Sequence, residues 1–145
     1  MRITTWAEYG LLVTVHLARC EGDGPVPARV LAEAERLPAD YVEQILLKLR
    51  RAGIVSSVRG AKGGYRLARE AQTITVKDVV EAAEHRTFEI NCDVHPVEDE
   101  RCGGACSIRA VWRGLQHRID DLLDRVSVAD LLAEEAVVED LVAGS

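Results

Sequence analysis

The sequence predicts a mainly α-helical fold with one small β-hairpin. Apolar residues recur at helical spacing from Thr5 to Ala52 and again from Ile108 onward. Between these stretches, the β-branched run Ile54-Val55-Ser56-Ser57-Val58, a glycine-rich turn and Tyr65-Arg66-Leu67 mark two short strands. A length of 145 residues suits one compact domain with an extension, large enough to bury a core without disulfide staples.

The first helix is expected from Thr5 to Arg19, with Ala7, Leu11, Val15 and Ala18 among its apolar positions. Glu21-Gly22-Asp23-Gly24-Pro25 ends it. A second helix, Ala28 to Arg36, turns Val30, Leu31 and Ala34 inward, and Leu37-Pro38-Ala39-Asp40 makes a turn into a third, Tyr41 to Ala52. In that third helix Val42, Ile45, Leu46 and Leu49 form a buried stripe, which leaves Glu43, Gln44, Leu47 and Lys48 toward or beside the opposite face. Gly53 closes it, and the hairpin follows with Arg59-Gly60-Ala61-Lys62-Gly63-Gly64 as its basic tip. Thr75 to Glu84 reads as a further helix with Val76, Val79, Val80 and Ala83 on its apolar side. From residue 85 to 106 the pattern dissolves into Asn91, Pro96, acidic residues and Gly103-Gly104, a loop that stays ordered only if something ties it down. Periodicity then returns through Ile108, Trp112, Leu115, Ile119, Leu122 and Val126, in alternating steps of four and three. Ser127 is placed to cap a last short helix through Val128, Leu131 and Leu132, and the tail after Glu135 is expected to be loosely held.

Helix, turn, helix and basic hairpin in that order describe a winged helix-turn-helix domain over residues 1–84. A cysteine-bearing loop at 85–106 and a long dimerisation helix with its short successor at 107–145 complete the expected layout. The net charge of −6 argues, taken alone, against a nucleic-acid partner. Local charge argues the reverse, because Lys48, Arg50, Arg51, Arg59, Lys62, Arg66 and Arg69 follow one another with no acid between them. A helix presenting short polar side chains fits the major groove, where Gln44 and Glu43 suit hydrogen bonds to base edges. Arg59 and Lys62 on a glycine-rich tip suit phosphate or minor-groove contacts, and Tyr41, Lys48, Arg50 and Tyr65 complete the expected DNA-binding set. A solvated turn carrying ordinary surface charge is the bland alternative.

A helix of about 20 residues with a seam of this kind is hard to bury within one small domain, so Ile108, Trp112, Leu115, Ile119, Leu122 and Val126 are read as a homodimer interface. Two reading helices related by a two-fold axis then match a pseudo-palindromic operator in double-stranded DNA. Three of the four cysteines, Cys92, Cys102 and Cys106, crowd into the polar loop. Three thiolates are one ligand short of a tetrahedral or cluster site, so either an iron–sulfur cluster or structural zinc implies a fourth group from elsewhere. Cys106 stands just before the long helix, where the dipole favours a thiolate. Cys20, at the end of an apolar helix face, reads as a small packed thiol. No apolar run approaches the ~20 residues needed to span a bilayer, and no signal-peptide core precedes the first helix, so a cytoplasmic protein without a membrane partner is expected.

The Met1-Arg2-Ile3-Thr4 run, the helix from Tyr41 to Gly53, the wing from Arg59 to Leu67 and the cysteine-bearing loop together resemble the Rrf2 family of bacterial transcription regulators, with its IscR-, NsrR- and RirA-like branches. The similarity runs from Met1 to about Leu132. It implies a homodimeric regulator, a repressor type among them, whose iron–sulfur cluster senses redox state, nitric oxide or iron and controls DNA binding, with a 4Fe-4S cluster favoured over 2Fe-2S. In the IscR-like pattern a histidine three positions after the last cysteine completes the site, but that position here is Arg109. In the NsrR-like pattern a carboxylate on the first helix of the other subunit serves, and the matching position is Glu8; His95 and His117 are the substitutes. Nine residues separate Cys92 from Cys102 and three separate Cys102 from Cys106, a less even spacing than the better-known members have. An enzyme is not expected: no glycine-rich nucleotide loop follows a strand and no nucleophile constellation is present. A zinc-binding winged-helix regulator and, more remotely, a cluster-bearing redox protein are the competing assignments.

Overall fold

The computed structural model describes residues 4–84 and 107–144. Its elements run α1 (Thr5–Arg19), α2 (Ala28–Glu35), α3 (Ala39–Arg51), β1 (Val55–Val58), β2 (Gly64–Leu67), a 3-10 turn at Ala71–Thr73, α4 (Val76–Glu84), α5 (Ser107–Arg125), a 3-10 turn at Asp130–Leu132 and α6 (Glu135–Ala143). The mainly helical fold with a single two-stranded hairpin is the one expected, and it is a winged helix.

Helix α1 is the element the others pack on. It buries Ala7, Gly10, Val13, Thr14, Leu17 and Ala18, a broader band than expected, with Leu11 and Val15 on its part-buried edges. Gly10 lets α4 approach: a Cβ added there would lie 3.3 Å from Ala83 Cβ and 3.6 Å from Val79 Cγ1. The Thr14 hydroxyl is fully buried, and it donates to the Gly10 carbonyl at 2.7 Å, so this polar side chain enters the core with its hydrogen bond made.

Helix α2 buries only Leu31 and Ala32. Val30 and Ala34, expected inward, are exposed, because both lie more than a quarter-turn round from the middle of the buried Leu31–Ala32 pair. The helix ends at Arg36, a non-glycine residue at φ 56° and ψ 44°. There the Leu37 N–H closes on the Ala32 carbonyl at 2.9 Å, a cap that glycine usually serves. Pro38, with φ −59°, leads directly into α3, which starts at Ala39 and not at Tyr41. Val42, Ile45, Leu46 and Leu49 are all fully buried, as the apolar stripe implied.

The hairpin pairs Val55 with Leu67 and Val58 with Gly64. A further antiparallel bridge joins Tyr65 to Val26, each N–H donating to the other's carbonyl at 2.8 Å. Gly64 is required by this contact, since a Cβ would come within 2.4 Å of the Val26 carbonyl carbon. The base of the wing is thereby fixed to the α1–α2 connection while its tip projects.

The chain returns to this domain near its end. Val76 N–H donates to the Val126 carbonyl and Val128 N–H to the Ile74 carbonyl, both at 2.8 Å. Two reciprocal capping boxes flank the bridge. In one, Thr75 and Asp78 each accept the other's N–H at 3.0 Å; in the other, Asp130 accepts from Ser127 at 2.8 Å and Ser127 from Asp130 at 3.1 Å. Ser127 is thus the cap expected of it, over a single 3-10 turn. Val128 is fully buried in the main core, and Val126 packs with Ala7, Val76 and Val80 in a second cluster. Val126, expected in the dimer seam, is therefore used inside its own chain. The tail after Glu135 is also corrected: it forms α6, held by Leu141 against that second cluster. Among the described residues no helix is long and apolar enough to cross a membrane.

Arg36→Gly is expected to stabilise the fold by about 0.5–1 kcal/mol, because relief of the left-handed backbone cost exceeds the added freedom of the unfolded chain. Urea denaturation of the two proteins measures it. A loss of stability would show that the Arg36 side chain holds the turn in some other way.

Candidate nucleic-acid interface

Burial of Val42, Ile45, Leu46 and Leu49 fixes which residues of α3 face outward. Asp40, Glu43, Gln44 and Leu47 do so, and with Ala28 at the start of α2 and Tyr65 at the base of the wing they line a shallow groove of about 650 Å³. Three elements that are apart in sequence therefore meet at one surface. Tyr65 is part-buried, anchored through its backbone to Val26, so its ring lines the groove from a fixed position. Arg59 and Lys62 are exposed on the wing tip, and Arg50 and Arg51 are exposed in the last turn of α3.

The basic run does not act as one patch. Arg69 turns back into the fold, donating to the Thr73 carbonyl at 2.6 Å and to Asp78 Oδ2 at 3.3 Å. Lys48 does likewise, with Nζ 3.1 Å from the Ala83 carbonyl and 4.2 Å from the centroid of the Trp6 ring. Tyr41 shares this flank of α3, its ring 5.0 Å from Trp6 and edge-on to Tyr9 at 6.0 Å. Two of the expected DNA-binding residues, Tyr41 and Lys48, thus face α1 and α4 and not the groove. Trp6 and Tyr9 were not singled out from the sequence. Their spacing of three on one helix, opposite Tyr41 and Lys48 at seven on another, is the signal that marks them.

Glu8 lies exposed in the first turn of α1, with exposed Leu12 one turn further along. Cys92, Cys102, Cys106 and His95 lie outside the described residues, and among the described residues no group of three or more His, Cys, Asp or Glu side chains forms a metal site. Where α4 ends and α5 begins, Glu84 Oε1 and Arg109 Nε are buried with no hydrogen-bond partner among the described residues. His117 pairs with Asp121 at 3.4 Å one turn on, and His16 Nδ1 lies 2.7 Å from Glu35 Oε1, tying α1 to α2. Cys20 is part-buried against the core, as a packed thiol should be.

No residue of α5 is buried. Ile108, Val111 and Trp112 are 62%, 66% and 43% exposed, and Leu115 is also exposed. Along the same stripe Ile119 and Leu122 are part-buried and Val126 is 5% exposed, so the apolar face is uncovered at its start and docked on its own chain at its end.

A family model described as Rrf2, iron-dependent transcriptional regulator, matches residues 3–134. The chain belongs to the Rrf2 family. An HTH-type transcriptional regulator IscR from Vibrio vulnificus strain YJ016 is 32% identical over 139 residues, covering 96% of this chain and 82% of the relative. Among solved structures, T. potens IscR matches with a TM-score of 0.74 and 35% identity, covering 94% of this chain and 90% of that one. CymR of B. subtilis, described as a global cysteine regulator, matches with a TM-score of 0.75 and 32% identity over 90% of this chain and 95% of that one. As an Rrf2 protein the chain is a DNA-binding transcriptional regulator of the winged-helix type, and its relatives are regulators.

Proposed function

We propose that this Rrf2 chain is a homodimeric regulator that reads a pseudo-palindromic operator through the Glu43–Gln44 face of α3. An iron–sulfur cluster held by Cys92, Cys102, Cys106 and Glu8 of the partner subunit controls that reading. One observation carries the proposal: the outer face of α3 is left exposed, groove-forming and flanked by an anchored wing with a basic tip. Gln44 offers an amide suited to bidentate contact with adenine, and Glu43 an acceptor for a cytosine amine. Arg59, Lys62 and Arg50 supply charge to the phosphates on either side, which positions the helix without reading sequence. Positive charge placed at these few points serves DNA binding although the whole chain carries −6.

The uncovered start of α5 supports self-association. Ile108, Val111, Trp112 and Leu115 make one exposed apolar strip at the start of α5, and a second copy presents an identical strip to cover it. The donor set fits an iron–sulfur cluster: three thiolates supply soft ligands, and Glu8 supplies a carboxylate that its own chain leaves exposed. The buried, unpartnered Glu84 Oε1 and Arg109 Nε stand at the two ends of the cysteine-bearing segment, positions suited to a polar neighbour there. When bound, a cluster would supply a redox- and ligand-sensitive link whose weakest bond is to the carboxylate. The family model's iron dependence favours iron over zinc.

Replacing both Arg59 and Lys62 with Ala is expected to reduce the slope of log affinity against log salt by about two, since each lost phosphate contact is worth about 0.9. A titration of operator binding at several salt concentrations reads this, and an unchanged slope would remove the wing tip from the interface. Trp112→Glu is expected to weaken self-association by about 2 kcal/mol, seen by sedimentation. A variant that associates like wild type would place the interface elsewhere. Anaerobically purified protein should carry iron and sulfide with visible absorption, and Glu8→Ala should lose metal affinity by about tenfold or more while retaining its fold. A colourless, zinc-loaded protein would end the cluster assignment, and an unaltered spectrum and cluster lifetime in Glu8→Ala would assign the fourth ligand to another residue.

A further inference from the structure

Helix α4 ends with no basic residue in its last turn. The carbonyl of Ala83, its penultimate residue, accepts no N–H from the described residues of the helix. Lys48, on α3, meets both needs. Its Nζ donates to that carbonyl at 3.1 Å and places a positive charge at the negative end of the α4 dipole. The same ammonium stands 4.2 Å above the Trp6 ring of α1, in cation–π geometry. One side chain of α3 is thus bound at once to α1 and α4.

Trp6 is held from a second point on α3. Tyr41 packs on it with ring centroids 5.0 Å apart and planes at 44°, and Tyr9 backs Tyr41 edge-on. Tyr41 and Lys48 are seven residues apart in α3, about 10 Å along the axis. A single contact leaves a helix able to pivot, whereas two contacts two turns apart and a hydrogen bond to a third helix fix its rotation and its axial position. Both contacts lie on the flank of α3 that faces α1 and α4, beside Gln44 and round the helix from Glu43 and Leu47, and neither Tyr41 nor Lys48 lines the groove.

We propose that Lys48 is a positioning residue: it sets the angle at which the Glu43–Gln44 face meets the bases by tying α3 to Trp6 and to the Ala83 carbonyl, and it does not bind phosphate. The proposal rests on DNA binding through α3. Specificity then depends on a cation that touches no nucleic acid.

The test uses the full-length protein and two duplexes, one selected by the wild type from a randomised pool and one of random sequence, over a range of salt. Lys48→Met, which keeps the stem and removes the charge, is expected to lower the preference for the selected duplex by about tenfold with the salt slope unchanged. Trp6→Leu is expected to do the same although it removes no cation, and the double variant should be no worse than either single one. Lys48→Arg, which keeps charge and donor, should restore the preference. The opposite pattern overturns the proposal: with Lys48→Met both duplexes weaken alike and the slope falls by about one, while Trp6→Leu binds as wild type. If Lys48→Met does not fold, Trp6→Leu and Lys48→Arg decide the matter by themselves. A wild type with no preference between the duplexes overturns both this proposal and the reading role of α3, whereas variants indistinguishable from wild type overturn only this proposal.

Discussion

The close crossing of α1 and α4 at Gly10 is the constraint on which the other placements depend. Because Gly10 has no side chain, Ala83 and Val79 can pack against the α1 backbone, and a Cβ there would already press on Ala83 at 3.3 Å. That contact sets how closely α4 lies on α1, and Ala83, at the crossing, carries the carbonyl to which Lys48 donates. Thr14, one turn on, returns its hydroxyl to the Gly10 carbonyl and so keeps this tight region free of an unmet polar group. A larger residue at the crossing would separate the two helices and move the partner of α3 with them.

Helix α3 is consequently used on three sides. Its buried stripe closes the main core, its Tyr41–Lys48 flank locks onto Trp6 and α4, and only the remaining side, Asp40 to Leu47, is left to the groove. The wing adds a fourth restraint from below, since Tyr65 is paired to Val26 ahead of α2. A surface that discriminates between similar ligands has to be held by its supports, and here the supports are an aromatic cluster, a capped carbonyl and a two-bond bridge.

Much of this was legible in the sequence, and the exceptions have physical causes. The three N-terminal helices and the hairpin follow from apolar spacing and turn residues, because each element buries one stripe and says so in its period. The left-handed cap at Arg36 was not legible, since nothing local marks an arginine for a glycine conformation. The contacts of Lys48 and Tyr41 with Trp6 and the Ala83 carbonyl were not legible either, because a basic residue at a helix edge suits a phosphate and a neighbouring helix end equally well. Val126 continues the α5 stripe without a break in period, so its diversion into the chain's own core is invisible until Val76 and Ala7 are seen beside it. Helix α6 was not legible as an element, and Leu141 packs it against the second cluster. Of the four residues expected as metal ligands only Glu8 falls among the described residues, exposed in the first turn of α1.

The bridge between Thr75 and Ser127 closes the stretch from α4 to α5 at its base. The start of α4 and the residues that follow α5 are thus joined at one place, through paired backbone bonds and a capping box on each side. The seam receives both helices at one place, and because doubling the length of a connection costs only about 0.6 kcal/mol, added residues between α4 and α5 leave its paired bonds intact. Length can therefore vary between these two helices while the domain that carries α3 and the wing keeps its packing.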